Sequence, residues 1–146
     1  MDEKFSYNLI SVTLNKKCGV LNMLGKTIIP IDYEKCIVIL DHLVIITKNG
    51  KQGVINTKVG GIDEKTKKVI PFELIVPIKY DFITRQNDYL LKTELNSKYG
   101  LINIYGFEIL PCEYDVIGMF DNKKAEVFKS DNTSFFIDEK GIVVHK

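Results

Sequence analysis

A chain of 146 residues, 45% apolar and 27% charged with a formal charge of +1, fits one globular domain that buries a sizeable core without metal or disulfide support. Those proportions are ordinary for a globular protein rather than a disordered or membrane one, and no apolar run approaches the roughly 20 residues of a membrane-spanning helix. The near-neutral charge, with nineteen lysines and Arg85 as the single arginine, leaves no field to attract nucleic acid or anionic lipid and little bidentate chemistry to read either, so neither is an expected partner.

The opening MDEKFSYNLI places two acidic residues ahead of any apolar stretch and lacks the basic and apolar regions of a signal peptide, so a cytoplasmic location is expected. LISVTL then reads as a β-strand, and Asn15 begins a tight turn into KKCGVLN at 16–22. The latter pattern, Lys-x-Gly, two aliphatics and Asn, returns as KQGVIN at 51–56 and KYGLIN at 98–103, with a degenerate copy, TSFFID at 133–138, carrying Phe135 in place of Gly. Repetition of this kind decides the fold before any single element does.

The first copy continues through Asn22 and Gly25, spaced as a type I turn prefers, into TIIP, where Pro30 lies eleven residues beyond Gly19 and Tyr33 follows three later. HLVIIT and the Asn49-Gly50 pair, which tolerates the positive φ of a hairpin turn, lead to Gly53 of the second copy. That copy holds an insertion near residues 60–74 before Pro77 and Tyr80; its segment KVGGIDEKTKKVIP is compatible with one loop of thirteen extra residues or with a partly duplicated hairpin. YLLKTEL and Asn96 lead to Gly100 of the third copy, which keeps Asn103, Gly106, Pro111 and Tyr114 in step with the first. AEVF, Asp131, the degenerate fourth copy, Asp138 with Gly141, and IVV complete the chain. The basic period is 34 residues.

These runs of β-branched and aromatic residues between turn signals, with no sustained helical period, predict an all-β fold. We expect tandem three-stranded antiparallel β-hairpin repeats arranged as an open spiral or small propeller-like array. The repeats span about 16–50, 51–97 and 98–132, with partial repeats at 1–15 and 133–146. Gly19, Gly25, Asn49, Gly50, Gly53, Gly100, Gly106 and Gly141 are the expected structural turn residues. Each proline, unable to donate to a ladder, marks a strand end, edge or bulge, and the following tyrosine packs over that bend.

Together these residues resemble the WG-repeat, or KWG-repeat, family, whose units run as Lys-Trp-Gly, two aliphatics, an acidic or Asn residue, a turn Gly, then Ile-Pro and Tyr-Asp. KYGLIN with ILPCEYD (98–115) is the best copy. The signature Trp is absent, its positions held by Cys18, Gln52, Tyr99 and Ser134, so packing there should differ. The resemblance implies a repeat scaffold of the kind that serves as an interaction module; it implies no catalytic site.

A search for chemistry agrees. Cys36, Asp41 and His42 suggest a thiol nucleophile arrangement, and Cys18, Cys36, Cys112 and His42 a metal site, yet neither set has a characteristic spacing, and buried free thiols are the expected state. His145 lies one residue from the end of the sequence and is expected to be mobile. Asp63 with Glu64, or Glu113 with Asp115, are paired carboxylates of the glycosidase type, but Asp115 belongs to the repeat and is better read as structural. Gly60-Gly61 lacks the Lys-Ser or Lys-Thr of a phosphate loop. No enzyme, cofactor or metal is therefore expected. The expected role is non-catalytic protein–protein interaction, with Lys58, Asp63, Glu64, Lys65, Lys67 and Lys68 of the insertion as binding candidates. The alternative is a small-molecule or nucleotide ligand held in a pocket between repeats lined by Tyr33, Tyr80 or Tyr114. Unpaired edge strands give a route to a homodimer.

Overall fold

The computed structural model describes residues 9–40, 42–57, 61–62, 69–70 and 73–144, and every element among them is a β-strand. The first sheet is β1 (Leu9–Leu14), β2 (Lys17–Asn22) and β3 (Thr27–Tyr33), paired in that order. The second is β4 (Lys35–Ile39), β5 (Leu43–Lys48), β6 (Lys51–Asn56) and β9 (Glu73–Tyr80), with β7 (Gly61–Ile62) and β8 (Val69–Ile70) forming a separate two-stranded hairpin. The third is β10 (Phe82–Arg85), β11 (Leu90–Leu95), β12 (Lys98–Asn103) and β13 (Glu108–Tyr114). The fourth is β14 (Val116–Ile117), β15 (Lys124–Phe128), β16 (Ser134–Asp138) and β17 (Val143–Val144).

The expected all-β array of antiparallel hairpins is thus what forms, with one addition. Three of the sheets carry a fourth strand, the segment directly after Tyr33, Tyr80 or Tyr114, which pairs with the next meander through registers such as Cys36↔Ile46, Ile83↔Thr93 and Ile117↔Val127. The 34-residue sequence repeat is consequently out of phase with the sheets: a repeat that starts at Lys98 gives β12 and β13 to one sheet and β14 and β15 to the next.

Each motif residue has a backbone reason for recurring. At the first corner, Asn15 and Lys16 (φ 53° and 66°), Asn49 and Gly50 (54° and 77°) and Asn96 and Ser97 (54° and 65°) all adopt positive φ in pairs, the geometry of a two-residue type I′ hairpin whose twist matches its strands. At the second corner, Asn22 Oδ1 accepts hydrogen bonds from the backbone N–H groups of Leu24 and Lys26, both at 2.9 Å. Asn103 does the same for Tyr105 and Phe107, and Asp138 for Lys140 and Ile142. Gly25, Gly106 and Gly141 close these turns at φ of 83°, 95° and 87°.

The fourth copy departs from the expected tight turn at Asp131. β15 and β16 are joined by the wider segment 129–133, in which Asn132 takes positive φ and Asp131 accepts from the Thr133 N–H. A tight turn at Asn122 and Lys123, both at positive φ, precedes β15 instead.

Glycine in Lys-x-Gly answers a contact rather than a dihedral. β2 and β3 pair as Cys18↔Tyr33 and Val20↔Ile29, with the register shifting between them, so β3 bulges at Pro30 against Gly19. A Cβ on Gly19 would lie 2.5 Å from the Ile29 carbonyl oxygen, and one on Gly100 the same distance from that of Leu110, in the equivalent bulge of β13. Gly53 meets Val76 O at 2.6 Å in the same way. Proline suits the bulge because the ladder is already interrupted there. Opposite β16, β17 pairs Val144 with Phe136, and Phe135 turns its ring to Tyr114, edge to face at 5.6 Å.

The chain divides into two compact units, residues 1–79 and residues 80–146. The first unit buries Val20, Ile29, Cys36, Val44, Ile46 and Ile55 in one cluster drawn from its two main sheets, with Tyr33 packed against it. In the second, Leu90, Leu101, Leu110, Ile117, Val127 and Ile137 form the corresponding cluster, with Tyr99 and Tyr114 against it. Gly141 is buried there as well, its α-carbon set against the Ile109 and Leu90 side chains.

Candidate functional site

The acidic residue after each tyrosine is engaged through its side chain, and at Glu34 and Asp81 it caps a turn. Glu34 accepts hydrogen bonds from the N–H groups of Asn49 and Gly50 at the type I′ corner, and Asp81 from that of Asn96 at 3.0 Å. Asp115 accepts from Lys98 Nζ and the Ser130 hydroxyl. Lys98 beside Asp115 holds its carboxyl below the ordinary aspartate range, and Lys48 does the same for Asp32. Asp115, one of the paired-carboxylate candidates, is thus occupied in joining strands.

The tyrosines belong to the scaffold as well. Tyr80 is buried, and burial pushes its phenol up. Tyr33 packs on the first core with Lys48 Nζ 5.6 Å from its ring centroid, and Tyr114 meets Phe135. The positions of the missing tryptophan have diverged. Cys18 is buried, Gln52 is buried and donates to Thr47 Oγ1 at 3.1 Å, Ser134 donates to Glu126, and Tyr99 remains an aromatic with Lys92 Nζ 5.0 Å from its ring centroid.

Cys18 and Cys36 are buried free thiols, and burial pushes Cys36 up, with a contribution from its Cys18 neighbour. Because the thiolate is the nucleophile, Cys36 is held in its unreactive form. The His42 backbone carbonyl accepts from Thr57. Among the described residues no group of three or more His, Cys, Asp or Glu side chains is placed to hold a metal ion, and no helix is long and apolar enough to cross a membrane.

Lys58, Asp63, Glu64, Lys65, Lys67 and Lys68 lie outside the described residues, as do Asp41 and His145. The insertion near 60–74, which carries five of these lysines and acids but not Lys58, stands between β6 and β9 in place of the Asn-x-x-Gly corner, and within it Gly61 and Ile62 pair with Ile70 and Val69.

Two cavities open in the second unit, at opposite ends of the third sheet. One, of about 240 Å³, is lined by Phe82, Thr84, Lys92, Thr93, Glu94 and Tyr99. The other, of about 210 Å³, is lined by Tyr89, Asn103, Tyr105 and Lys140, with Lys140 Nζ 5.9 Å from the Tyr89 ring centroid. Neither is lined by Tyr33, Tyr80 or Tyr114.

The second cavity is built by corners. Asn87 Oδ1 accepts from the Tyr89 and Leu90 N–H groups, and its Nδ2 donates to the Glu139 carbonyl at 3.0 Å, tying the β10–β11 loop to the β16–β17 corner. The Ile104 N–H donates to the Tyr89 carbonyl at 3.0 Å and brings in the β12–β13 corner. Tyr105 and Phe107, on either side of Gly106, are each 68% exposed, and Tyr89 is 46% exposed. Apolar side chains at corners recur in the first unit, where Leu24 is exposed beside Gly25. Neither Tyr89 nor Tyr105 is a repeated landmark. The available signal was the large aromatic pair Tyr105 and Phe107 in a turn where polar residues are the norm.

Sheets, corners and bulges define an all-β repeat protein. Residues 99–132, one 34-residue period, match the family model described as the WG containing repeat, so this unit is similar to that repeat. A search of the curated proteins returns no match.

Proposed function

We propose that this chain is a non-catalytic scaffold that binds another protein, and that the corner end of residues 80–146 is the binding surface. The observation that carries the reading is the exposure of Tyr89, Tyr105 and Phe107 beside a cavity, on turns whose motif residues are all engaged in holding the fold. Exposed aromatics around a concavity mark interaction surfaces. Three free thiols fit a reducing, cytoplasmic setting. The test is affinity capture from extract of the native host with the wild type and the double variant Tyr105→Ser, Phe107→Ser. Loss of the captured protein with an unchanged melting temperature supports the reading, and undiminished capture removes this surface. Deleting residues 63–68 in parallel reports whether the insertion adds to the same interface.

A second reading, capture of a small ligand, is favoured by the cavity at Phe82 and Tyr99. Lys92 and Glu94 there offer one charge of each sign between two aromatic walls. A metabolite and nucleotide screen should then raise the melting temperature by mass action, and Tyr99→Ala should abolish the shift. A screen with no shift counts against it.

A further inference from the structure

We propose that the Tyr89–Tyr105 cleft binds a proline-rich segment in the polyproline II conformation, with an acidic residue beside the prolines. The inference rests on the scaffold reading and names the chemistry of its partner. The cleft has a volume of about 210 Å³. It suits a few side chains of a peptide laid across the surface.

The polar groups around it lean to donors. Asn103 Oδ1 is consumed by the N–H groups of Tyr105 and Phe107, which leaves the Asn103 amide nitrogen as that side chain's remaining polar group. Lys140 has only donors, and the two phenols both donate and accept, which leaves the rim with more donors than acceptors. A polyproline II chain is the complement of such a rim, because its carbonyls make no internal hydrogen bonds while its prolines have no N–H to offer. Aromatic walls accept the flat pyrrolidine faces, and the helix is preformed, so little ordering entropy is lost on docking. An incoming helix or β-strand fits less well: the former satisfies its own carbonyls, and the latter brings a row of N–H groups for which the rim's side chains offer only the two phenol oxygens. Lys140, set over the Tyr89 ring, supplies the positive charge that selects an acidic neighbour.

The experiment titrates the full chain into a fluorescein-labelled peptide of six prolines followed by two glutamates, read by anisotropy. The expected result is saturable binding that Tyr89→Ala and Tyr105→Ala each weaken at least tenfold with unchanged melting temperatures. Lys140→Gln should weaken it severalfold and flatten its salt dependence. A peptide in which alternate prolines become alanine should bind at least tenfold more weakly. Absence of binding, or binding indifferent to Tyr105→Ala or to the loss of proline, overturns the proposal. If the proline peptide fails while Tyr105→Ser, Phe107→Ser still abolishes capture from extract, the scaffold stands and only the chemistry of its partner is wrong; if both fail, the surface itself is wrong.

Discussion

Gly100 and Gly25 are both repeat glycines, and they are glycine for different reasons. At Gly25 the backbone sits at φ 83° with open space where a Cβ would point, so Gly25→Ala carries only the left-handed penalty of about 1 kcal/mol. At Gly100 the obstacle is the Leu110 carbonyl, 2.5 Å from an added Cβ, with the Pro111 backbone carbon at 2.8 Å. That strand cannot retreat without breaking the bulge, so Gly100→Ala should cost about 3 kcal/mol. Denaturant melts of the two variants check the order, and equal losses would show that the bulge yields. This distinction also explains what was legible in the sequence. Positive φ and close backbone approach admit few residue types, so Gly19, Gly53 and Gly100, the Asn corners and the prolines all announced themselves. Tyr89 and Tyr105 did not, because a tyrosine in a core and a tyrosine on a rim are the same letter, and only their place in a turn tells them apart.

Among the elements, the strand after each tyrosine was the one missed. Lys35–Ile39, Phe82–Arg85 and Val116–Ile117 share no residue pattern, since what they have in common is the backbone hydrogen bond that precedes them. The Glu34, Asp81 and Asp115 N–H groups each donate across to the following strand, at Thr47, Glu94 and Phe128. The same acidic residues reach the next turn with their side chains, and at Asp115 this makes the junction sensitive to acid. Asp115 is shifted down by Lys98 and Ser130, so its stabilising effect is present above its unfolded value near 3.8 and is lost as pH falls through the lower folded value. Being exposed, the pair contributes modestly. The melting temperature of wild type should exceed that of Asp115→Asn at pH 7, and the gap should close below about pH 4. A gap that persists at pH 2 would mean that Asp115 acts by something other than its charge.

For the whole molecule, the repeated residues are occupied with making corners, bulges and caps, and the proposed binding surface consists of side chains that break the pattern. The insertion also breaks the pattern: the β7–β8 pair stands where the other copies have a corner, and residues 63–68 have no counterpart in any other copy. Pairing of edge strands between copies is a further proposal that a light-scattering mass of twice 16.7 kDa would support and a monomer mass would remove. The division between scaffold and recognition residues is tested most directly by site-specific photo-crosslinking in extract of the native host, with benzoylphenylalanine replacing Tyr105 in one preparation and Lys123, on the Asn122 turn, in another. A discrete adduct to another protein from position 105, and none from position 123, is the result expected here. Identical adducts from both positions, or none from position 105, would contradict it.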